Sequence, residues 1–233
     1  MRVVSYNVHA CVGMDRRFAL DRTAAVIRSL DADVVLLQEV GDHVGRATTV
    51  DQARALAEAC GMDYAVGYTM PTGPWGYGNV VMTRGAIGTV TRFDLSVAGQ
   101  EPRGGLRVEV KACGTELTVF AVHLGLDRTE RSRQVAKLLG GPLHEVSGPL
   151  VLGGDFNDWP PGTTRRALRR GFVDAAVRRL DLRGTFPSRF PLFRLDRLYS
   201  RNGLTVAGYD VIQTDLTRLA SDHLPILADY SVK

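Results

Sequence analysis

Short apolar runs that end on a polar residue recur along the chain and predict β-strands. Each run is rich in Val, Leu or Ile and is bounded by glycines or polar residues, which is typical of strands buried in a sheet. The predicted strands lie near residues 2–8, 33–39, 78–83, 105–111, 115–123, 149–154, 193–199 and 224–231.

Segments with apolar residues at helical spacing lie between some of these runs and predict helices near 20–30, 50–59 and 129–139. In the third segment, Val135, Leu138 and Leu139 recur on one face. Thr129 is placed to cap its first turn, and Glu130 lies within that turn. The mixture of strands and helices predicts the α/β class.

Composition favours one domain that spans residues 1–233. Hydrophobic residues make up 45% of the 233 positions, which is sufficient for one large core. The chain has no low-complexity linker and no repeat at a fixed period. Its three cysteines form neither a CxxC pair nor a disulfide framework, so we expect reduced thiols.

The segment Gly153-Gly154-Asp155-Phe156-Asn157 follows a predicted buried strand. Residues two apart on an extended chain point the same way, so Asp155 and Asn157 are expected to converge on one point. The two glycines are expected to let the backbone approach a ligand there. A carboxylate beside a carboxamide suits the activation of water next to a hard cation. The alternative is an aspartate that only caps a turn.

Other polar side chains also stand at the ends of apolar strands. Glu39 is a clear example, because a carboxylate at the end of such a strand is costly to bury unless it is paired or metal-bound. Each has a structural alternative, such as a turn former, a helix cap or a core histidine. The set comprises Asn7, Glu39, His123, Asp196, Asp222 and His223.

In chain order, the segments Ser-Tyr-Asn, Leu-Gln-Glu, Val-His-Leu, Gly-Asp-Phe-Asn, Arg-Leu-Asp and Ser-Asp-His resemble the endonuclease/exonuclease/phosphatase (DNase I-like) superfamily. They run from residue 5 to residue 223, and they resemble its small bacterial metal-dependent hydrolases. The resemblance implies a four-layer α/β sandwich, in which two packed mixed β-sheets are flanked by helices and each half of the chain supplies one sheet.

The resemblance also implies a metal site that takes Mg²⁺ or Mn²⁺. Glu39 would be the principal ligand, with Asn7 and Asp222 beside it. Asp155 would orient or deprotonate the attacking water, or hold a second metal, while Asn157 would bind the phosphate.

Two histidines complete the implied catalytic set. His223 would contact a phosphate oxygen while Asp196 holds its other ring nitrogen, which would raise the imidazole pKa. His123 would make a second phosphate contact or protonate the leaving oxygen.

One departure and two further segments bear on the substrate. Abasic-site nucleases of the superfamily carry an acidic residue where this chain has His9, which makes a repair role less favoured. The segment 101–107, with Arg103, resembles one in branches that act on lipid headgroups and other small phosphodiesters, although it also fits a turn before a strand. His9, Arg103 and Asn79, in the family-like segment 78–84, are the candidate substrate-binding residues.

The net charge of +4 comes almost entirely from arginine. The 29 lysine and arginine residues include only Lys111, Lys137 and Lys233, which leaves 26 arginines. This usage fits a GC-rich genome, and it also fits an anionic substrate approached past a basic rim. Aromatic residues do not alternate with the basic ones, so a dedicated nucleic-acid surface is not indicated.

The sequence therefore predicts a divalent-metal-dependent phosphoesterase that acts on nucleic acid, a lipid headgroup or a small phosphate ester. The alternative is a catalytically silent phosphate- or nucleic-acid-binding module on the same fold. No GxSxG segment supports a serine hydrolase. No apolar run reaches the roughly 18 residues of a membrane span, and the first strand begins at Arg2, so we expect a cytoplasmic protein.

Overall fold

The computed structural model describes residues 1–42, 50–160 and 162–232. Within these ranges the helices are α1 (Leu20–Ser29), α2 (Gln52–Cys60), α3 (Arg128–Gly140), α4 (Thr163–Leu168), α5 (Ala175–Arg179) and α6 (Asp215–Ala220), and a 3₁₀ turn spans His9–Cys11. The strands are β1 (Arg2–Asn7), β2 (Val34–Gly41), β3 (Asp63–Met70), β4 (Tyr77–Thr83), β5 (Ala86–Asp94), β6 (Gly104–Ala112), β7 (Thr115–His123), β8 (Leu150–Asp155), β9 (Val173–Asp174), β10 (Asp196–Arg201), β11 (Leu204–Val211) and β12 (Ile226–Val232).

The strands form two six-stranded sheets, as predicted. The first has the order β11-β12-β1-β2-β4-β3 and the second has the order β5-β6-β7-β8-β10-β9. Both sheets are mixed, because β1 pairs with β2 and β7 pairs with β8 in parallel, whereas the other pairs are antiparallel.

The expectation that each half of the chain supplies one sheet is wrong for β5 and β6, which lie in the first half and join the second sheet, and for the last two strands, which join the first sheet. β12 returns to the first sheet and pairs antiparallel with β1, with Arg2 opposite Asp229 and Ser5 opposite Ile226. The segment that precedes β12 therefore lies beside the carboxyl end of β1. This return places Asp222 and His223 next to Asn7.

Strand alternation divides the core into three layers. Val3, Val34 and Leu36 face the second sheet and pack with Val119 and Leu198 between the sheets. The opposite face of the first sheet packs against α1 and α2, and the outer face of the second packs against α3 and α4. The two sheets and the helices outside them confirm the predicted four-layer sandwich.

The sequence pattern missed the edge of each sheet and the shortest helices. The missed strands β3, β5, β9 and β11 are the four edge strands of the two sheets, and β5 is mostly exposed. Edge strands face water along one side and need no continuous apolar run. Helices of five or six residues, such as α5, are too short to show a helical period.

The start of α3 corrects the prediction that Thr129 is the N-cap. The helix begins at Arg128, and the carboxylate of Asp127 accepts hydrogen bonds from the backbone N–H groups of Thr129 at 2.8 Å and Glu130 at 2.9 Å. Asp127 precedes both donors, so its short side chain can reach them, whereas Thr129 already lies within the first turn.

We expect Asp127→Ala to lower the urea midpoint of unfolding, because two N–H groups of α3 lose their acceptor. Asp127→Asn, which keeps an acceptor oxygen, should restore most of the loss. Thr129→Ala should leave the midpoint within experimental error. A larger effect at Thr129 than at Asp127 would contradict the observed cap.

Candidate active site

A cavity of about 590 Å³ opens at one edge of the sandwich. The parallel pairs β1–β2 and β7–β8 each present their carboxyl ends at this edge. β10 runs antiparallel to β8, so its first residue, Asp196, lies at the same edge opposite Asp155. The lining residues are His9, Ala10, Glu39, Tyr77, Glu101, Arg103, His123, Leu126, Asp155, Asn157, Phe186, Leu195, Asp222 and His223.

Glu39 reaches the cavity through a β-bulge. Leu37 pairs with Val80 and Val40 pairs with Gly78, so β2 contains one residue more than β4 between these points. Glu39 has a φ of 58°, which is costly for a residue other than glycine and is typical of a functional position. Regular alternation would have sent Glu39 to the helix side with Leu37; after the bulge, Val40 takes that side.

Asn7 is buried beneath the cavity and links its two principal acids. Its Nδ2 donates to Glu39 Oε1 at 3.0 Å and to Asp155 Oδ2 at 3.2 Å. Its Oδ1 accepts from the backbone N–H of His9 at 3.1 Å. The amide nitrogen therefore positions the two carboxylates. The oxygen keeps a second lone pair, so the expected role of Asn7 as a metal ligand stays a prediction.

Tyr77 is a site residue that the sequence analysis missed. Its side chain lines the cavity and hydrogen-bonds Glu39. Burial opposes the ionisation of Glu39, but the facing His123 and the hydrogen bonds from Asn7 and Tyr77 hold its pKa at about 2. The position of Tyr77 directly before the family-like segment 78–84 was the available signal.

The glycines before Asp155 serve the packing of neighbouring strands. A Cβ atom at Gly153 would lie 2.6 Å from Leu36 Cδ1 of the facing sheet. Gly154 has a φ of 149°, and a Cβ there would collide with the carbonyl oxygen of Val122 in β7. The expectation that these glycines admit a ligand is wrong, because strands β2 and β7 occupy the space.

Asp155 is fully buried in the site and has an unusual proton affinity. Burial raises the pKa of its carboxyl to about 6, against the opposing effect of His223 and with a further increase from Asp196. Its Oδ1 accepts from the backbone N–H of Asn157 at 2.9 Å. Asp155 is thus held on both oxygens, by Asn7 and by Asn157.

Asn157 reaches the cavity wall by a turn, not along an extended strand. Its φ is 47°, so the reasoning from residues two apart on a strand does not apply. Its Nδ2 donates to the Leu124 carbonyl oxygen at 2.9 Å, which fixes the side chain beside β7. The predicted convergence with Asp155 holds through the backbone N–H of Asn157 instead.

His223 lies between two aspartates. Its Nδ1 is 2.8 Å from Asp196 Oδ2, and its Nε2 is 3.6 Å from Asp155 Oδ2. Burial opposes its charged form, but Asp196 and Asp155 raise its pKa to about 10. Phe186 packs against the ring at a centroid distance of 4.9 Å. The arrangement predicted for Asp196 and His223 is therefore present.

His123 is the second buried histidine. Its Nε2 lies 3.7 Å from Asp155 Oδ2 and 3.9 Å from Glu39 Oε1. Burial, together with the charge of Arg103, lowers its pKa to about 4. The ring is neutral near pH 7, which favours a hydrogen-bonding contact over the donation of a proton.

Three further predicted residues lie at the rim of the site. Asp222 is partly exposed, and His9 Nδ1 is 3.9 Å from its Oδ1. The buried Arg103 pairs with Glu101 Oε1 at 2.6 Å. All of them line the cavity.

Asn79 is outside the set of residues that line the cavity, contrary to its expected role in substrate binding. It is buried in β4, and its Nδ2 donates to the Gly104 carbonyl oxygen of β6 at 3.0 Å. Asn79 thus bridges the two sheets, because residues of β4 face β6 at this point.

Residues 4–223 match the Endonuclease/Exonuclease/phosphatase family. The chain belongs to this family. It is 32% identical to the Escherichia coli (strain K12) protein YbhP over 241 residues, covering 98% of this chain and 95% of YbhP. An endonuclease/exonuclease/phosphatase from Beutenbergia cavernae superposes with a TM-score of 0.83 at 25% identity, covering 99% of this chain and 71% of that one. A mannosyl-6-phosphatase from Bacteroides thetaiotaomicron superposes with a TM-score of 0.76 at 21% identity, covering 99% of both chains.

The cavity of this family member offers donors that fit a hard divalent cation. Glu39 is ionised, partly exposed and aimed at the cavity, and Asp222 is a second partly exposed carboxylate on its wall. Oxygen ligands of this type, few in number and supplemented by water, suit Mg²⁺ or Mn²⁺. The donor set is consistent with the predicted metal.

A different cluster has the spacing of a metal site. Within the described ranges, Asp155, Asp196 and His223 each place one ligand-type atom within 4.8 Å of the others. The Nδ1 atom of its histidine lies 2.8 Å from Asp196 Oδ2, and the Nε2 atom lies 3.6 Å from Asp155 Oδ2. The three side chains form an Asp–His–Asp group, and the expectation that Asp155 could hold a second metal stays a prediction. Among the helices described, none is long and apolar enough to cross a membrane.

Proposed function

We propose that the protein is a divalent-metal-dependent phosphoesterase in which water attacks the phosphorus in line. One observation carries this proposal: the Asn7 side-chain amide donates hydrogen bonds to two carboxylates whose pKa values are shifted in opposite directions. Glu39 is strongly ionised, whereas Asp155 has a raised pKa, and both accept from Asn7 Nδ2. Paired acids whose proton affinities differ are typical of an acid–base site.

Glu39 and Asp222 would hold the cation, with Asn7 and Tyr77 orienting the Glu39 carboxylate. When bound, Mg²⁺ or Mn²⁺ would neutralise charge on the phosphate oxygens and make a bound water more acidic. Whether the site takes one cation or two does not alter the role of Glu39.

Asp155 would orient the attacking water and accept its proton. The carboxylate is fixed on one side by Asn7 and on the other by the backbone N–H of Asn157. A base that is held in place loses little entropy when the transition state forms.

His223 and Arg103 would stabilise the charge that develops on the phosphate. His223 carries a proton near neutrality, and Asp196 fixes its ring. Arg103 lines the same cavity and contributes a permanent positive charge, which also pairs with Glu101. Asn157 and the neutral His123 would add hydrogen bonds to the phosphate oxygens.

The residues of the cavity support a phosphoester substrate, but they do not indicate which alcohol is esterified to the phosphate. The mannosyl-6-phosphatase that shares this fold acts on a phosphomonoester, and the positive charges of Arg103 and His223 among the lining residues suit a phosphodiester as well. A catalytically silent module would not need the Asn7-linked acids or the buried Asp196–His223 pair. We therefore favour the enzyme over the binding module.

The direct test is a panel of phosphomonoesters, phosphodiesters, nucleic acids and phospholipids, assayed with Mg²⁺ or Mn²⁺. We expect hydrolysis of at least one class, its loss on EDTA treatment and its recovery on adding the metal. Full activity in EDTA-treated protein would contradict the proposal.

Asp196→Asn should reproduce most of the loss of kcat caused by His223→Ala, because the carboxylate acts only through the ring. We expect each variant to lose about 10²- to 10³-fold, the usual effect of one stabilising donor. The double variant should be little worse than either single variant. Losses that multiply would show that Asp196 has a separate, structural role.

The same pair predicts a shift of the alkaline limb of the pH–rate profile. The pKa of His223 lies near 10, so activity that needs its proton should persist well above neutrality and fall as pH rises through that value. Asp196→Asn removes the main partner that raises the pKa, so the limb should move to lower pH. An unchanged limb, measured at saturating metal, would exclude His223 as the group responsible.

A further inference from the structure

Five large apolar side chains are exposed within residues 159–192, a stretch in which Phe186 lines the cavity. Their exposed fractions are 52% for Trp159, 88% for Leu180, 63% for Leu182, 77% for Phe190 and 73% for Leu192. Single exposed apolar side chains are ordinary, but a contiguous group marks a surface that docks on something. These five residues are called the apolar face.

Contacts between loops bring the members of the apolar face together. Residues 184–193 form a loop closed by the bridge between Phe186 and Phe193. Gly184 packs so closely on the Pro191–Leu192 backbone that a Cβ would lie 2.5 Å from the Pro191 carbonyl oxygen, so the chain that follows Leu182 runs directly against the segment that carries Leu192. The Trp159 ring packs on Phe193 at a centroid distance of 4.6 Å.

The same loop joins the apolar face to the cavity. Phe186 lines the cavity and packs on His223, and Phe190 follows it four residues later in the chain. At most about 14 Å of extended chain separates these two positions. A surface that received Phe190 would therefore lie close to the mouth of the cavity.

The surroundings of the apolar face are strongly basic. Residues 159–201 contain 11 arginines and no lysine, against three aspartates and no glutamate. Asp174 and Asp196 are buried, and Asp181 pairs with Arg183. Six exposed arginines of this stretch form no ion pair with any residue in the described ranges: Arg166, Arg169, Arg170, Arg178, Arg179 and Arg189.

We propose that the apolar face docks on an anionic lipid bilayer, so that the phosphoester hydrolysed in the adjoining cavity is carried by a molecule at that surface. The second half of this statement rests on the function proposed above. Exposed apolar side chains flanked by unpaired arginines suit the interface of a bilayer with acidic headgroups. Single-stranded nucleic acid is less favoured, because Leu180, Leu182 and Leu192 have no aromatic face on which a base could stack.

The test is sedimentation of the full chain with phosphatidylcholine vesicles, with and without phosphatidylglycerol. We expect binding to the anionic vesicles, weaker binding to the neutral ones, and a decrease with salt. Phe190→Ser with Leu192→Ser should weaken binding to the anionic vesicles by about 10-fold or more, since each side chain loses a buried apolar surface. Arg178→Ser with Arg179→Ser should weaken it by about 5-fold or more.

Two matched double variants serve as controls. Tyr64→Ser with Val232→Ser removes two exposed apolar side chains from strands β3 and β12 of the first sheet. Arg16→Ser with Arg17→Ser removes two exposed arginines from another part of the chain. Both should keep the affinity of the wild type for the anionic vesicles.

Activity separates the docking surface from the proposed function. Hydrolysis of soluble bis(p-nitrophenyl) phosphate should be unchanged by Phe190→Ser with Leu192→Ser, whereas Asp155→Asn should still bind vesicles. Vesicle binding without hydrolysis of any phosphoester would leave the docking surface intact and contradict the proposed function.

Three results would overturn the docking proposal. The first is failure of the wild type to bind anionic vesicles. The second is equal loss of binding in the control variants. The third is that Phe190→Ser with Leu192→Ser abolishes binding to oligothymidylate, or dissociates a dimer, with no effect on vesicles.

Discussion

Asp155→Asn should lower kcat by about 10²- to 10⁴-fold with little change in KM, the range expected for loss of a general base. The carboxamide keeps the size of the side chain and can still accept the hydrogen bond from the backbone N–H of Asn157. It cannot take a proton from water. Steady-state kinetics at saturating metal measure both constants.

Asp158→Asn is the matched control, three residues further along the chain, just after β8. Its carboxylate is also buried, but it faces Arg197 at 3.9 Å and does not line the cavity. We expect this variant to lose stability and to keep most of its kcat. If Asp155→Asn retained more than about a tenth of wild-type kcat, an effect below 1.4 kcal/mol, the base would have to be another group.

Glu39→Gln should weaken Mg²⁺ binding by at least about 10-fold and lower kcat/KM by orders of magnitude, because a hard cation needs the charge that the amide lacks. Calorimetric titration of the substrate-free protein with Mg²⁺ measures the affinity independently of turnover. The melting temperature should stay close to that of the wild type, since the side chain is partly exposed.

Glu101→Gln tests whether any cavity carboxylate would give the same result. Glu101 also lines the cavity, but its carboxylate is occupied by Arg103. This variant should keep the Mg²⁺ affinity of the wild type and affect substrate binding through Arg103. Equal losses of Mg²⁺ affinity in both variants would mean that Glu39 is not the principal ligand.

The buried strands could be predicted from the sequence because burial on both faces demands a continuous apolar run. β1, β2, β7 and β8 all carry such runs, and their shared carboxyl edge brought most of the predicted site residues to one cavity. β5 could not be found in this way, since an edge strand exposed to water satisfies its backbone without an apolar pattern.

The finer geometry of the site depends on contacts that no local pattern contains. The bulge that turns Glu39 towards the cavity is defined by its register with β4. Asn7 was expected as a metal ligand, but its orientation follows from two acids that lie 32 and 148 residues away in the chain. Tyr77 is the first residue of β4, and apart from its place beside the segment 78–84 nothing in the local sequence distinguishes it from a core aromatic residue.

The hydrogen bond between Asn7 and Asp155 crosses from one sheet to the other. The distance between the sheets therefore determines how far Glu39 in the first sheet lies from Asp155 in the second. Gly153 and Leu36 set that distance where the sheets approach each other beneath the site. A larger side chain at residue 153, or a smaller one at residue 36, is expected to change the separation of the two acids. We therefore expect substitutions at these two interior positions to affect catalytic activity as well as thermal stability. A screen that selects only for folded variants would not detect the loss of activity.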